Sequence, residues 1–94
     1  MPVTWSRQAQ SDFTAIYKRA LEEDARYALN LVESLDAALT RLANFPRLGT
    51  PVGSHGHLKW RLGKTPFLLI YADEDRGLHI LRVYHERQDR GIAP

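Results

Sequence analysis

The chain has 94 residues, enough for one domain, and 44% of them are hydrophobic, as in globular proteins. It has no cysteine, which excludes disulfides, thiolate nucleophiles and cysteine zinc sites. The net charge is +2, and the excess of Lys and Arg falls in residues 46–94, where eight cations accompany five carboxylates. This basic half suits a phosphate backbone or an acidic protein partner. The chain shows neither an apolar run long enough for a membrane span nor a signal peptide, so we expect a cytoplasmic protein.

The first half predicts a short strand and two helices. Residues 3–5 are β-prone, and the Ser6 hydroxyl can cap a helix. Asp24 can cap a second helix, which Pro46 ends because the residue before a proline is disfavoured in the α region. The short link between them predicts an antiparallel helical hairpin. Apolar residues recur every three or four positions, at Ala9, Phe13, Ile16, Tyr17, Ala20 and Leu21 and again at Ala28, Leu31, Val32, Leu35, Ala38, Leu39, Leu42 and Phe45.

The second half predicts a loop and three strands. Residues 46–57 contain two prolines and three glycines, which is typical of a long loop. Residues 58–62 alternate apolar and basic, residues 67–72 are apolar throughout, and the turn at 73–77 makes 78–84 antiparallel to them. The polar tail from residue 85 shows no further helix pattern. The order β-α-α-β-β-β predicts a single α+β domain over residues 1–94, with the helical hairpin packed on one face of a mostly antiparallel sheet.

One face of this sheet has no helix to cover it. Phe67, Leu69 and Tyr71, or the residues between them, must emerge there, and we expect an exposed apolar patch that a protein partner covers. We expect Trp60 to point toward the helices, which places Lys59 and Arg61 together on the open face. Arg82 lies within the last strand, and we expect it to be partly buried and ion-paired with a helix carboxylate.

Three stretches have the order and spacing of a known family. They are Val3-Thr4-Trp5-Ser6 with Ala9 and Asp12-Phe13, then residues 39–51 (LTRLANFPRLGTP), then residues 80–89 (ILRVYHERQD). Together they resemble the RelE/ParE superfamily of type II toxin–antitoxin toxins, and the Pro-Arg-Leu-Gly stretch resembles its ParE-like branch. The resemblance implies a cytoplasmic toxin of the plasmid-stabilisation type, with no cofactor and no membrane association. It also implies a cognate antitoxin as partner, through which alone the toxin would reach operator DNA.

The superfamily divides into two activities. RelE-like members cut messenger RNA on the ribosome, and ParE-like members bind DNA gyrase and block it. RelE-like nucleases have an arginine in the third strand, where this chain aligns Leu68, and often an aromatic residue beyond the last strand, where it has none after Tyr84. The resemblance therefore favours a gyrase inhibitor that is not an enzyme. An mRNA interferase, an endoribonuclease, remains the alternative.

Candidate site residues lie on the basic strand and near the tail. RNA cleavage through the 2′-hydroxyl needs an acid, a base and cations on the phosphate, which Arg61, His85 and Arg87 could supply. Glu86 could also act as a base, and Lys64 and Arg82 could hold phosphate. His55 and His57 have the spacing of metal ligands, but no third ligand lies near them in sequence, so we expect no metal site. The candidates for contacts with the target are Lys59, Trp60, Arg61, Lys64, His85, Arg87 and Arg90.

Overall fold

A computed structural model shows a helical hairpin packed against a five-stranded sheet. It describes the backbone of residues 2–91 and the side chains of residues 2–88. In chain order the elements are β1 (Val3–Trp5), α1 (Arg7–Glu23), α2 (Ala25–Asn44), β2 (Thr50–Val52), β3 (His57–Arg61), β4 (Phe67–Glu74), β5 (Gly77–His85) and a 3₁₀ helix (Glu86–Gly91). No helix of this described part is long and apolar enough to cross a membrane.

The strands lie side by side in the order β1-β5-β4-β3-β2. β1 runs parallel to β5, and the other three pairings are antiparallel, so the predicted α+β arrangement is confirmed. The loop predicted at 46–57 is partly wrong, because residues 50–52 pair with residues 57–59 as an edge strand. Pro51 obscured this strand in the sequence, although an edge strand tolerates a proline because its outer N–H groups have no ladder partner. The tail also begins with a 3₁₀ helix, which was not predicted because so short a helix shows no amphipathic period in the sequence.

Both predicted helix caps are confirmed. The Ser6 hydroxyl accepts a hydrogen bond from the backbone N–H of Ala9 at 2.9 Å. The Asp24 carboxylate accepts one from the N–H of Arg26 at 2.9 Å, and this single residue separates the two helices. Each cap satisfies an N–H group that the first helical turn leaves without a partner. The helices therefore reverse direction within one residue and form the expected hairpin.

The main core lies between the helices and one face of the sheet. Trp60 points toward this core and packs against it, as predicted, and the ring of Trp5 meets Phe13 edge-on at 6.3 Å between centroids. Lys59 and Arg61 pair with Ile70 and Leu68 and so belong to the opposite face. The buried residues of the core are Ala9, Ala38, Leu42, Leu58, Leu62, Leu69, Tyr71, Leu78, Ile80 and Val83.

The face of the sheet without helices does not show the exposed apolar patch that we expected. Leu68, Ile70 and Tyr84 form a second buried cluster there, only 5%, 6% and 3% exposed. Val52 and Leu81 pack against this cluster and are themselves partly buried. Val52 belongs to the unpredicted strand β2, whose presence widens the sheet and shelters its centre. The expectation that a protein partner covers this face therefore has no exposed apolar patch to support it.

Helix α1 replaces a sixth strand beside the second half of β5. β1 pairs only with residues 78–80, which leaves the next backbone groups of β5 without a strand partner on that side. Ser6 Oγ donates to the carbonyl of Leu81 at 2.9 Å, and the Asp12 carboxylate accepts from the N–H of Val83 at 3.0 Å. The side chains of the N-cap residue and of Asp12 thus satisfy backbone groups that would otherwise lie unpaired at a partly buried edge.

The predicted ion pair of Arg82 with a helix carboxylate is confirmed at the same place. Arg82 Nε lies 2.8 Å from Asp12 Oδ2, and the side chain of Asp12 is only 12% exposed. Burial by itself would raise the pKa of Asp12. Hydrogen bonds from Arg82, from the N–H of Val83 and from Gln8 together outweigh burial and hold the pKa below its ordinary value. The folded state therefore favours the ionised carboxylate.

We predict that Asp12→Asn lowers the free energy of unfolding by about 1–3 kcal/mol at pH 7, because charge-assisted hydrogen bonds are lost at a partly buried position. Because the folded-state pKa is depressed, the contribution of Asp12 is complete above the unfolded-chain pKa of about 3.9 and is lost as pH falls through the folded value. Urea unfolding from pH 7 to pH 2 should show the variant and the natural chain converging as the pH falls below the unfolded-chain pKa and through the lower folded-state pKa. Asp36→Asn, at an exposed position of α2, is the matched control and should change little. A gap that persists undiminished at pH 2 would contradict the charge-based account.

The hydroxyl of Tyr71 fixes the turn that follows α2. It donates to the carbonyl of Pro46 at 2.7 Å and accepts from the N–H of Gly49 at 3.0 Å. Burial raises the pKa of Tyr71, and the hydrogen bond from Gly49 opposes that rise only in part. A Cβ atom at residue 49 would lie 2.6 Å from the hydroxyl oxygen and 2.8 Å from the carbonyl of Lys59. The close approach explains why glycine is required here.

Tyr71→Phe should lower the free energy of unfolding by about 1–2 kcal/mol, because the buried N–H of Gly49 loses its acceptor. Tyr17→Phe is the matched control, since its hydroxyl makes no hydrogen bond to a residue that the structure describes. Thermal unfolding followed by circular dichroism measures both changes. Equal melting temperatures for the two variants would disprove the role of the hydroxyl.

Candidate functional site

A groove of about 690 Å³ runs between α1 and the end of β5. We call it the α1 groove. Its lining combines apolar side chains such as Ile16 and Phe67 with charged ones such as Arg82 and Arg87. It is lined by Ser11, Asp12, Ala15, Ile16, Arg19, Ala20, Glu23, Tyr27, Pro66, Phe67, Arg82, Val83, Tyr84, His85, Arg87 and Gln88.

His85 lies in this groove with its orientation fixed on two sides. Its ring meets Phe67 edge-on at 5.3 Å between centroids. The ring atom Nδ1 accepts a hydrogen bond from the backbone N–H of Arg87 at 3.0 Å. The backbone N–H of His85 donates to Gln88 Oε1 at 3.0 Å. These bonds cap the start of the 3₁₀ helix. They also place the proton of the neutral ring on Nε2, because Nδ1 must keep its lone pair to accept.

Most charges of the α1 groove are already paired. Arg82 is bound to Asp12, and Arg19 Nε lies 3.8 Å from Glu23 Oε1 at the exposed end of α1. Arg87 is exposed and makes no ion pair with any residue whose side chain the structure describes. The pKa of the Tyr27 hydroxyl is raised, mainly by burial and further by Glu23, so it remains a neutral hydrogen-bonding group. The guanidinium of Arg87 is thus available for an anionic group that enters the groove.

Arg61 is held by the residue that lies between His85 and Arg87 in the chain. Its Nη1 lies 2.7 Å from Glu86 Oε2 and donates to the carbonyl of Thr65 at 3.2 Å. It borders a different groove of about 530 Å³, which we call the α2 groove, lined by Glu33, Ser34, Ala37, Ala38, Arg41, Trp60, Arg61 and Gly63. The two grooves share no lining residue. Among the three residues considered for RNA cleavage, His85 and Arg87 line the α1 groove, whereas Arg61 is engaged by Glu86 and borders the α2 groove.

The other candidates for target contacts are spread over the surface. Trp60 forms part of the wall of the α2 groove, Lys64 is exposed in the turn after β3, and Lys59 is partly buried on the face without helices. The side chain of Arg90 lies outside the described residues. The rings of His55 and His57 are 6.0 Å apart, and the described residues contain no cluster of three or more His, Asp or Glu that could hold a metal ion.

Comparison with known proteins assigns the family. The sequence model of the family described as "ParE toxin of type II toxin-antitoxin system, parDE" matches residues 3–90. The chain belongs to this ParE toxin family. Among solved structures, the chain is similar to one described as a chromosomal ParDE TA system from P. aeruginosa, with a TM-score of 0.75 and 24% identity. That similarity covers 90% of this chain and 95% of the other, and it supports the ParE-like fold. Comparison with curated proteins finds no match.

In this ParE-family chain, the residues of α1 that line the α1 groove were not predicted from the sequence. Asp12, Ile16, Arg19 and Glu23 all line it, and their spacing of three and four residues places them on one face of the helix. That spacing was visible in the sequence. The position of the groove was not, because it depends on where α1 crosses the end of β5.

We predict that neutral His85 carries its proton on Nε2. Long-range proton–nitrogen NMR at pH 8 should show Nδ1 as the unprotonated nitrogen, because the N–H of Arg87 occupies its lone pair. Gln88→Ala removes the other bond of this turn and leaves the contact to Nδ1 in place, so it serves as the control. A ring protonated on Nδ1, or an equal mixture of the two tautomers, would contradict the geometry.

Proposed function

We propose that this ParE-family chain inhibits DNA gyrase by binding to it and that it breaks no bond itself. The observation that carries the proposal is that Arg61 and Arg82, the strand arginines that could hold a phosphate, are each already bound to a carboxylate. Cleavage of RNA requires the acid, the base and the phosphate-binding cations to converge on one phosphodiester. Here Arg61 is paired with Glu86 and borders the α2 groove, whereas His85 and Arg87 line the α1 groove.

Two further contacts support binding over cleavage. Leu68 occupies the position at which RelE-like nucleases have an arginine, and it is buried with Ile70 and Tyr84 on the face without helices. The Nδ1 atom of His85 already accepts a hydrogen bond from the main chain, so proton transfer would be restricted to Nε2. A partner-binding role needs no such convergence. For contacts with the target we propose Lys59, Trp60, Arg61, Lys64, His85, Arg87 and Arg90.

We also propose that a cognate antitoxin neutralises the toxin in the cytoplasm and that any contact with operator DNA passes through this antitoxin. The solved relative is described as a ParDE toxin–antitoxin system, which supports a partner of this kind. The α1 groove suits an antitoxin segment because it places the apolar side chains of Ile16 and Phe67 beside the exposed guanidinium of Arg87. A segment with apolar and acidic side chains would complement both features.

A gyrase supercoiling assay with the purified chain tests the proposal. We expect supercoiling to fall as the chain is added and to recover when the product of the adjacent gene is supplied in equimolar amount. Transcripts in a ribosome-containing reaction should stay intact. Transcript cleavage that disappears with His85→Ala or Arg87→Ala would instead establish the mRNA interferase and overturn the proposal.

Charge reversal separates a specific contact from general electrostatics. Arg87→Glu should weaken gyrase inhibition by roughly tenfold or more, because it replaces an exposed cation at the groove with a like charge for an acidic partner. Arg76→Glu makes the same change of charge in the β4–β5 turn and should leave inhibition nearly unchanged. Equal losses in the two variants would show that only net charge matters.

A further inference from the structure

The segment that follows α2 forms an exposed turn with an apolar residue at each end. The N–H of Leu48 donates to the carbonyl of Phe45 at 3.1 Å, so residues 45–48 form a β-turn with Pro46 at its second position, which suits the fixed φ of proline. Phe45 is 61% exposed, the highest value among the large hydrophobic residues that the structure describes, and Leu48 is 41% exposed. The turn therefore holds two large apolar side chains side by side in solvent.

The backbone of this turn is fixed at both ends. The N–H of Phe45 donates to the carbonyl of Arg41 at 2.9 Å and so closes the last turn of α2. The buried side chain of Tyr71 donates to the carbonyl of Pro46 and accepts from the N–H of Gly49. A segment held in this way loses little conformational freedom when a partner binds to it, which favours affinity.

The contact residues proposed for gyrase lack an exposed apolar anchor. Six of the seven are Lys, Arg or His residues, and the seventh, Trp60, is partly buried against the main core. The centre of a protein–protein interface is usually apolar, and a few side chains that become buried there supply most of the binding energy. Phe45 and Leu48 have the exposure and the chemistry that such anchors require.

Two exposed arginines lie next to the apolar pair. Arg41 is one helical turn before Phe45 and makes no ion pair with a residue whose side chain the structure describes. Arg47 lies within the turn, and its Nη1 is 3.8 Å from Asp73 Oδ2, with the Arg47 side chain 69% exposed. An ion pair so long and so exposed contributes little, and it leaves Arg47 able to meet a second carboxylate. The turn therefore suits a protein surface that has an apolar depression with carboxylates at its rim.

The turn lies away from the α1 groove. Arg47 approaches Asp73, near the end of β4 that leads into β5, whereas Phe67 of the α1 groove lies at the start of β4. At the rise of an extended strand, these two residues of β4 are about 20 Å apart. A protein bound at the turn therefore does not need the residues that the α1 groove offers to an antitoxin segment.

We propose that Phe45 and Leu48 are the apolar anchors through which the chain binds gyrase, and that Arg41 and Arg47 face carboxylates of the target. This inference rests on the proposed function, because it takes the same target and adds the surface that holds it. The antitoxin segment binds elsewhere, in the α1 groove, and does not use the two anchors.

A gyrase supercoiling assay with two serine variants tests the anchors. Phe45→Ser and Leu48→Ser should each raise the concentration of the chain that halves supercoiling by about tenfold or more, because a small polar side chain replaces an apolar one that the complex buries. Leu29→Ser is the matched control, since Leu29 is 58% exposed on α2, and it should leave inhibition unchanged. The circular dichroism spectra of all three variants should stay native, because the replaced side chains are exposed.

Binding to the product of the adjacent gene gives a second measurement, by isothermal titration calorimetry. Both anchor variants should bind it as tightly as the natural chain does, which shows that they are folded and that the two surfaces are separate. Anchor variants that inhibit gyrase as well as the natural chain would overturn this inference and leave the proposed function in place. An equal loss of inhibition in Leu29→Ser, or a loss of antitoxin binding in folded anchor variants, would also overturn it. A natural chain that never lowers supercoiling would overturn the proposed function and this inference together.

Discussion

The carboxylate of Asp12 joins the two layers of this protein at the point on which its main groove depends. It accepts hydrogen bonds from the side chain of Arg82 and from the backbone of Val83, so one residue of α1 holds both a side chain and a main-chain group of β5. A hydrogen-bonding side chain is needed at this position of α1 because β1 ends at Trp5 and leaves the rest of β5 without a strand partner on that side. A helix cannot offer the repeated backbone ladder of a strand, so side chains at Ser6 and Asp12 supply the missing partners one at a time. The angle at which α1 crosses the end of β5, and with it the α1 groove, follows from these contacts.

Much of the fold could be predicted from the sequence because its periodic segments are long. The two helices show apolar residues every three or four positions and end at residues that cap or terminate helices, and the structure confirms both. The ion pair between Arg82 and a helix carboxylate was also predicted, since a cation inside a strand must find a partner when it is partly buried. β2 was missed because three residues around a proline give no alternation to detect. The expected patch on the open face was wrong for a related reason, because Val52 of β2 contributes to covering Leu68 and Ile70.

The candidate site was harder to predict because it is built from separate elements. The sequence indicated that Lys59 and Arg61 share one face of β3, and the strand register supports this. It could not indicate that Arg61 would be held by Glu86, or that His85 would turn toward Phe67 at the groove. A bulge intervenes, because Ile70 pairs with Arg82 whereas Tyr71 pairs with Ile80, and the alternation of β5 changes phase at Leu81. A bulge shifts every later side chain to the other face, and no composition rule locates it in advance.

The two helices give the molecule two grooves of different chemistry. The α1 groove holds the exposed guanidinium of Arg87 beside the apolar side chains of Ile16 and Phe67. The α2 groove is lined by the opposite charges of Glu33 and Arg41 beside the indole ring of Trp60. The helical hairpin thus does more than cover the sheet, because each helix forms one wall of a groove and the residues that line the two grooves do not overlap.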